Sequence, residues 1–255
     1  LDLRVKDNID QWVSVIGGTK LGNNTIRVFN KGKIENIGGY KEGMWWVQDI
    51  AAQLPVILMG NIKNKKILDL CAAPGGKTIQ MLAQGATVKA IEVSKKRSEM
   101  LLKNIKRMHL SKNFKIELKD LMHFKSNAIY DIVLLDAPCS GTGTLRKNPD
   151  VVWIKNKSDV IKNAKNQKKQ IVKALSFVKK GGFLIYSNCS LQKEEGEFLI
   201  DDLVKQNIIQ IDTINEKEIS GYPKEIINKG LIRTLPYMYN GGMDGFFIAR
   251  IKKAR

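Results

Sequence analysis

The sequence is poor in the residues that build disulfide frameworks and metal sites. Its 255 residues include three cysteines and two histidines, and no two cysteines form a CxxC pair. An odd number of thiols at these spacings excludes a disulfide framework, and the ligands of a zinc site are too few. We therefore expect free thiols and no bound metal.

Long apolar runs are also missing. No window approaches eighteen consecutive apolar residues, and the N-terminal stretch LDLRVKDNID lacks the successive basic, apolar and small-residue regions of a signal peptide. We therefore expect a soluble, cytoplasmic protein. Because the sequence begins with Leu1 rather than Met, it leaves open whether a further domain precedes this residue.

Acidic residues are scarce relative to basic ones. Lys and Arg number 43 and Asp and Glu 25, which gives a formal net charge of +18 at pH 7. This charge attracts polyanions and opposes self-association, so we expect a nucleic-acid partner and a monomer. A lysine-rich solvated surface has the same composition, so the charge must be joined to a binding site before it indicates function.

Strand-like and helix-like patterns alternate from Lys65 onward, which predicts a Rossmann-like α/β domain with a mostly parallel sheet and helices on both faces. The expected strands are KILDLC (66–71), TVKAIEV (87–93), FKIELKD (114–120), DIVLLD (131–136), GFLIYSNC (182–189) and a last strand within 243–253. The expected helices lie near 77–84, 94–108, 158–179 and 193–206, and residues 216–242 are expected to be an irregular insertion.

The N-terminal residues 1–40 are expected to form a small α/β segment before a catalytic domain at 41–255. The pattern NIDQWVSVIGG predicts a short helix. Two alternating runs that meet at Asn30–Lys33 then predict a hairpin.

Polar and thiol side chains follow the ends of the expected strands. Ligands of an open parallel sheet bind in the crevice beyond the carboxyl ends of its strands. We therefore expect one crevice to collect the residues at these ends, which are Cys71 with its glycine loop, Glu92, Asp120, Asp136 with Cys139, and Cys189.

The loop CAAPGGKT (71–78) resembles the end of a phosphate loop. Cys71, however, stands at the position of the first glycine, which disfavours a nucleotide triphosphatase even though the strand before Asp136 resembles the acidic strand of such enzymes. Gly75 and Gly76 still let a ligand approach the backbone at a helix N-terminus. The loop therefore favours a ligand without a triphosphate.

Two acidic strand ends favour a nucleoside ligand. Glu92 can accept hydrogen bonds from ribose hydroxyls, and Asp120 can meet an adenine amino group. S-adenosylmethionine combines a nucleoside with the absence of a triphosphate, so it is the expected cofactor.

Four segments resemble, in order and spacing, the motifs of the bacterial Sun/Fmu and eukaryotic Nop2/NSUN family of RNA cytosine-5 methyltransferases. They are LDLCAAPGGKT, LLDAPCSGTG, YSNCSLQKEEGE and DGFFIA. LDLRVK and GMWWVQDIAAQLP also resemble segments that precede the catalytic core in the bacterial ribosomal-RNA branch. The sequence departs from the family pattern at Glu92, where Asp is usual, and at Asn188, where Thr is usual.

The resemblance implies S-adenosylmethionine-dependent methylation of cytosine C5 in RNA, with ribosomal RNA as the expected substrate. Two alternatives stay open, which are the same chemistry on transfer RNA and a non-catalytic RNA-binding ribosome-assembly factor. Methylation of an amino group is disfavoured, because the strand after Asp136 continues Ala-Pro-Cys without an aromatic residue to stack on the base.

Cytosine C5 is too weakly nucleophilic to take a methyl group until a thiolate adds to C6. The C5 proton must later be removed so that the sulfur can leave. The resemblance implies that Cys189 is the nucleophile and that Cys139 assists release, while strand-end placement alone does not choose between them. Asp136 can hydrogen-bond N3 and the exocyclic amine, and Lys77 can orient cofactor or substrate.

The expected site residues fall into three sets. The catalytic residues are Cys189, Cys139 and Asp136. Cofactor contacts are expected from Cys71, Ala72, Ala73, Pro74, Gly75, Gly76, Lys77, Glu92, Arg97, Asp120 and Asp136. RNA contacts are expected from Arg146 and Lys147, which follow the Cys139 loop, and from the N-terminal cations Arg4, Lys6 and Arg27.

The expected helix at 158–179 carries a row of lysines. Ile161, Ile171 and Val178 are among the apolar residues at helical spacing, which predicts that they face the sheet. The lysines expected to lie elsewhere on the helix, where they can face RNA or solvent, are Lys162, Lys165, Lys169 and Lys173.

Overall fold

The computed structural model describes residues 1–22, 24–29 and 32–253. These residues form thirteen strands and seven α-helices. Nine of the strands make one central sheet, and the other four make a small N-terminal sheet. The predicted α/β class with a mostly parallel sheet is confirmed.

The small sheet is antiparallel and has the order β2-β3-β1-β4. Leu3, Ile26 and Trp45 are fully buried in its core. The sheet therefore extends beyond residue 40, where we expected the N-terminal segment to end. Its elements are β1 (Asp2–Val5), α1 (Ile9–Ile16), β2 (Thr19–Leu21), β3 (Thr25–Arg27) and β4 (Trp45–Val47).

The predicted hairpin at Asn30–Lys33 is wrong in its second strand. Residues Ile34–Asn36 form a 3-10 helix, and the hairpin partner of β3 is β2, which precedes it. Residues 30 and 31 of the expected turn lie outside the described residues. In the turn that follows, Gly39 has a φ of +83°, and a Cβ at this position would collide with the ring of Trp12, so the position requires glycine.

Five parallel strands form the larger part of the central sheet, in the order β7-β6-β5-β8-β9. Residues such as Leu68 and Leu134 are fully buried. Helices cover both faces of such a sheet, which explains why its strands are nearly continuous apolar runs. The strands are β5 (Lys66–Leu70), β6 (Thr87–Glu92), β7 (Phe114–Leu118), β8 (Tyr130–Asp136) and β9 (Val178–Asn188).

Antiparallel strands complete the sheet beyond β9. They are β10 (Ile209–Ile211), β11 (Ile227–Asn228), β12 (Leu231–Thr234) and β13 (Phe246–Lys253). β13 pairs with β9 on one edge and with β10 and β12 on the other, and β11 extends β12. The expected irregular insertion therefore contains two strands, which the sequence pattern did not indicate because both are short.

Helices pack on both faces of the central sheet. The helices after α1 are α2 (Ile50–Ile57), α3 (Gly76–Ala83), α4 (Lys95–Arg107), α5 (Val151–Ile154), α6 (Lys157–Leu175) and α7 (Glu197–Lys205). α2, α3 and α4 share one core cluster with the sheet, and α6 and α7 share the other. Within the described residues, no helix is both long and apolar enough to cross a bilayer.

The predicted burial of α6 needs a correction. Ile161 is exposed, Val178 lies in β9 after the helix has ended, and the buried stripe runs through Val160, Gln167 and Ile171. A helix turns about 100° per residue, which places Ile161 about 80° away from Ile171. Lys162, Lys165 and Lys169 are exposed as predicted.

The chain order reverses at the centre of the sheet. β6 and β7 extend the sheet on one side of β5, and the chain then returns to β8 on the other side. Ligands of doubly wound sheets bind at this switch point, beyond the carboxyl ends of the strands. The ends of β5 and β8 therefore locate the candidate site.

Candidate active site

Two cysteines meet where neighbouring parallel strands end. Cys139 follows β8 and Cys189 follows β9, and the register of these strands pairs Asp136 with Ser187. Because the two loops leave the sheet side by side, the Sγ atoms of Cys139 and Cys189 lie 3.5 Å apart. The predicted convergence of these two strand ends is observed.

The contact between the sulfurs gives them different acidities. The hydrogen bond to Cys189 raises the pKa of Cys139, and burial raises it further. The same hydrogen bond lowers the pKa of Cys189 against the opposing effect of burial, and the charge of Lys77 also lowers it. The pair can therefore present a thiolate on Cys189 beside a protonated thiol on Cys139.

A buried carboxylate holds both cysteine loops. Glu195 accepts hydrogen bonds from the Ser140 N–H at 3.0 Å, the Ser140 hydroxyl at 2.5 Å and the Ser190 hydroxyl at 2.6 Å. Each of these serines directly follows one of the cysteines. Sequence reasoning missed Glu195, although the repeated Cys-Ser pair and the nearby acidic run were available signals.

Asn188 fixes the peptide that carries Cys189. Its amide group donates to the Tyr186 hydroxyl at 3.0 Å and to the Glu195 carbonyl at 2.7 Å, and its Oδ1 accepts the Ser190 N–H at 3.0 Å. The departure from the family pattern at this position is thus accommodated by three hydrogen bonds within the loop.

Gly143 brings the two loops together through their backbones. Its N–H donates to the Cys189 carbonyl and its carbonyl accepts the Gly245 N–H, each at 2.8 Å. A Cβ at Gly143 would collide with the Gly245 carbonyl. The glycine is therefore required for the close approach of three chain segments.

Lys77 and Asp136 form an ion pair in the same crevice. Lys77 Nζ lies 2.8 Å from Asp136 Oδ2 and 5.0 Å from the centroid of the Phe246 ring. The Ser187 hydroxyl donates to Asp136 Oδ1 at 2.8 Å. The pair is thereby fixed by α3, β8 and β9 together.

A cavity of about 460 Å³ lies beside Cys189 and the Lys77–Asp136 ion pair. Its lining includes Cys71 through Lys77, Asp136, Lys147 and Cys189, as expected, and also Asp49, Asp69 and Asp244, which sequence reasoning missed. In the part of the chain that the structure describes, no group of three or more His, Cys, Asp or Glu side chains is arranged to hold a metal ion.

Asp69 presents a buried acceptor to this cavity. Oδ2 accepts the Thr78 hydroxyl at 2.5 Å, while Oδ1 has no hydrogen-bond partner among the described residues. Burial raises the pKa of Asp69 to about 7. A cationic donor from a ligand would satisfy the free oxygen and favour the ionised form.

A second cavity, of about 190 Å³, lies on the other side of Cys71 and is lined by Glu92, Arg97 and Asp120. Glu92 is buried and accepts the Ala73 N–H at 3.2 Å, while Arg97 donates to the Ala73 carbonyl. Asp120 accepts the N–H of Met122 at 2.6 Å. The expected nucleoside contacts therefore share a cavity of their own. The single crevice that we expected is divided into two cavities that both reach Cys71, and Cys139 is in the lining of neither.

Cys71 differs from the other two cysteines. It lines both cavities, and its φ of +64° places it in the left-handed region. Burial raises its pKa to about 12, so its thiol stays protonated at neutral pH.

Arg146 and Lys147, the expected RNA contacts, are paired with acids. Lys147 Nζ lies 2.6 Å from Asp49 Oδ2 and 2.8 Å from Asp244 Oδ2, and Arg146 Nη2 lies 3.1 Å from Asp49 Oδ2. Burial alone would raise the pKa of Asp49, but Lys147 lowers it. The pKa of Asp244 is raised, chiefly by burial and to a smaller extent by the charge of Asp49.

Two of the N-terminal cations expected in an RNA cleft are buried. Arg27 lies 2.7 Å from Asp2, and Arg4 donates to Gln53. Lys6 donates to the Met108 carbonyl at 2.6 Å. The expectation that Arg4 and Arg27 face RNA is therefore wrong, because Arg27 pairs with Asp2 inside the small sheet and Arg4 joins that sheet to α2.

Comparison with known proteins agrees with this geometry. A family model described as the 16S rRNA methyltransferase RsmB/F matches residues 56–252. The chain belongs to the RsmB/F family. Among its relatives, the ribosomal RNA small subunit methyltransferase B of Photorhabdus laumondii is 33% identical over 232 residues, which cover 89% of this chain and 51% of that protein. The chain thus spans about half the length of this relative.

Two other RsmB/F relatives are informative. A human 28S rRNA (cytosine(4447)-C(5))-methyltransferase is 31% identical over 226 residues, which cover 84% of this chain and 28% of the human protein. The structure of NSun6 from Pyrococcus horikoshii, solved with SFG, has a TM-score of 0.71 and 27% identity, and the match covers 88% of this chain and 56% of that one.

Proposed function

We propose that this protein methylates C5 of a cytosine in ribosomal RNA and uses S-adenosylmethionine as the methyl donor. The observation that carries the proposal is the thiol pair, whose sulfurs lie 3.5 Å apart beside the Lys77–Asp136 ion pair. Membership of the RsmB/F family and the name of the human relative support RNA as the substrate and C5 as the target.

The residues around the two cavities fit this cofactor. Glu92 and Asp120 suit the ribose and adenine, and the unpartnered Oδ1 of Asp69 suits an ammonium group. The glycine loop at 71–77 and Arg97 complete the proposed cofactor contacts. When bound, the cofactor supplies a methyl group on a sulfonium. The relative solved with SFG, an analogue of S-adenosylmethionine, supports the assignment.

Cys189 begins the proposed reaction. Its thiolate forms a bond to C6, and the electron pair of the C5–C6 double bond moves toward C5, which becomes nucleophilic. Asp136 accepts a hydrogen bond from the exocyclic amine, and its partner Lys77 holds a proton close by as negative charge develops toward N3.

Cys139 assists the release step. Once C5 carries the methyl group, its proton passes to a base, the C5–H electron pair restores the double bond, and the Cys189–C6 bond breaks. The hydrogen bond to Cys189 is the first cause of the raised pKa of Cys139. Adduct formation turns the Cys189 sulfur into a thioether and weakens this cause, so Cys139 loses its proton more readily and its thiolate becomes available as the base.

RNA is proposed to cross the mouth of the cavity beside Arg146 and Lys147, with the N-terminal segment on one side. Both cations are only partly exposed and already have acidic partners, so phosphate must compete with Asp49 and Asp244. Arg146 is the more available of the two, because Lys147 lies within 2.8 Å of both carboxylates.

Trapping of the covalent protein–RNA adduct can distinguish the roles of the two thiols. Cys139→Ala incubated with transcribed small-subunit ribosomal RNA and the cofactor is expected to accumulate a protein–RNA species that survives denaturing electrophoresis. Cys189→Ala is expected to form none and to be inactive. The matched control is the double variant, in which loss of the species shows that the bond involves Cys189.

Other outcomes would change the proposal. Trapping by Cys189→Ala would exchange the roles of the two thiols, and full turnover by both single variants would exclude the covalent mechanism. RNA binding without methyl transfer by the unaltered protein would favour an assembly factor. Transfer of methyl to transfer RNA alone would replace the proposed substrate.

A further inference from the structure

Three consecutive large apolar residues are exposed on α5. Val152, Trp153 and Ile154 are 58%, 89% and 62% exposed. α5 is a single turn of four residues, and none of them is buried. Exposed apolar clusters of this kind mark interaction surfaces. We call these residues the α5 patch.

The α5 patch is continuous with the rim of the catalytic cavity. Thr144, Lys147 and Asn148 line that cavity. The N–H groups of Lys147 and Asn148 both donate to the Thr144 carbonyl at 2.8 Å, and the Val151 N–H donates to the Asn148 carbonyl at 3.2 Å. Successive hydrogen-bonded turns therefore lead from the cavity wall to Trp153.

The charges around the α5 patch favour a negatively charged partner. Lys155, Lys157 and Lys162 are exposed on the chain that follows it. Two acids lie nearby. Asp159 accepts the Asn156 N–H at 3.1 Å at the start of α6, and Asp150 is exposed at the start of α5. An exposed aromatic ring with free cations beside it has the composition of a site that stacks unpaired bases and follows the phosphate backbone.

We infer that Trp153 is a stacking platform for a base that flanks the target cytosine, with Lys155 and Lys157 directed to the adjoining phosphates. The inference rests on the proposed function and adds a positioning residue to it. Arg146 and Lys147 are held by Asp49 and Asp244, whereas Lys155 and Lys157 form no ion pair with any residue that the structure describes and can bind RNA without breaking one. Stacking one neighbour would hold the strand while the target base occupies the cavity.

Tryptophan fluorescence reports the stacking directly. The chain has four tryptophans, and Trp12, Trp45 and Trp46 are at least partly buried. Titration with a short single-stranded RNA is expected to quench emission in the unaltered protein. Trp153→Phe is expected to remove most of this quenching while it keeps RNA affinity close to normal, because a phenyl ring still stacks.

Kinetics separate positioning from structural damage. Trp153→Ala is expected to raise KM for RNA about tenfold, as loss of one stacked base does. Its kcat, cofactor affinity and melting temperature are expected to change little, and Trp153→Phe should restore KM. Phe198→Ala is the matched control, because this aromatic residue of α7 is 56% exposed and is not in the lining of the cavity.

The outcomes distinguish this inference from the function on which it rests. If the unaltered protein methylates RNA and Trp153→Ala has the same KM, stacking is excluded and the function stands. Undiminished quenching in Trp153→Phe would also overturn the inference. If Trp153-dependent quenching occurs but no RNA is methylated, the stacking site stands and the proposed function fails.

Discussion

The sulfur atoms of Cys139 and Cys189 lie 3.5 Å apart at the ends of two adjacent parallel strands. Their shared hydrogen bond moves the two pKa values in opposite directions, upward for Cys139 and downward for Cys189. The two thiols therefore titrate as a pair, and a change at one of them alters the reactivity of the other.

Alkylation should reveal this coupling. With limiting iodoacetamide near neutral pH, Cys189 is expected to react before Cys139, because thiolates are the reactive form. In Cys139→Ala the lost hydrogen bond should raise the pKa of Cys189 and slow its alkylation. Peptide mass spectrometry measures both rates. Faster reaction at Cys139 in the unaltered protein would contradict the assigned pKa order.

Glu195 should affect catalysis without touching the cofactor cavities. Glu195→Gln replaces one acceptor oxygen by an amide donor and leaves a serine hydroxyl of the cysteine loops without its acceptor. We expect a loss of about 1–3 kcal/mol in the free energy of unfolding. The rate of methylation should fall and cofactor affinity should stay nearly constant. Glu194→Gln, next to it but less buried, is the control; equal effects in both variants would refute the role of Glu195.

Asp69 should make stability depend on pH. Its pKa of about 7 in the folded state lies above the value near 3.9 of an unfolded chain. The resulting stabilisation is present in full below the unfolded value and is lost as the pH rises through the folded value. Asp69→Asn should therefore gain stability relative to the unaltered protein as the pH rises from about 4 to about 7, by at most about 1.4 kcal/mol per pH unit, and the difference should level off above that range. Urea unfolding at several pH values measures the free energies of unfolding of both proteins. A difference between them that does not change with pH would contradict the prediction.

Cofactor binding should release a proton from the same carboxyl group. An ammonium beside Asp69 favours the ionised form, so affinity should rise as the pH increases toward about 7. Calorimetry in two buffers of different ionisation enthalpy detects the released proton. Asp69→Asn should bind more weakly and release less. Unchanged affinity in this variant would remove Asp69 from the proposed cofactor site.

Substitutions of Arg146 and Lys147 should have different effects, with Arg146 affecting RNA binding and Lys147 affecting stability. Lys147→Met leaves Asp49 and Asp244 without their closest cation, so we expect a fall of several degrees in melting temperature. Arg146→Ala is expected to weaken RNA binding and to reduce its salt dependence, because fewer phosphate counterions are released. Cofactor affinity should stay nearly constant in Arg146→Ala; its loss would show that the residue is structural.

Local patterns in the sequence predicted the longer strands and helices but not the short strands. Apolar runs of strand length marked the five parallel strands, and helical periodicity between them marked α3, α4, α6 and α7, because such elements bury continuous surface. Short strands such as β1, β4 and β12 carry too few residues for a period, and pairing with distant strands determines their structure.

The candidate site likewise has residues that the sequence predicts and contacts that only the structure shows. The sequence by itself placed Cys139, Cys189 and Asp136 at strand ends, and in a parallel sheet these ends meet at one edge. Only the tertiary structure decided that Glu195 holds both cysteine loops and that Lys147 is paired with Asp49 and Asp244. Such contacts join segments far apart in the chain, and their geometry depends on how every intervening element packs, which no local pattern records.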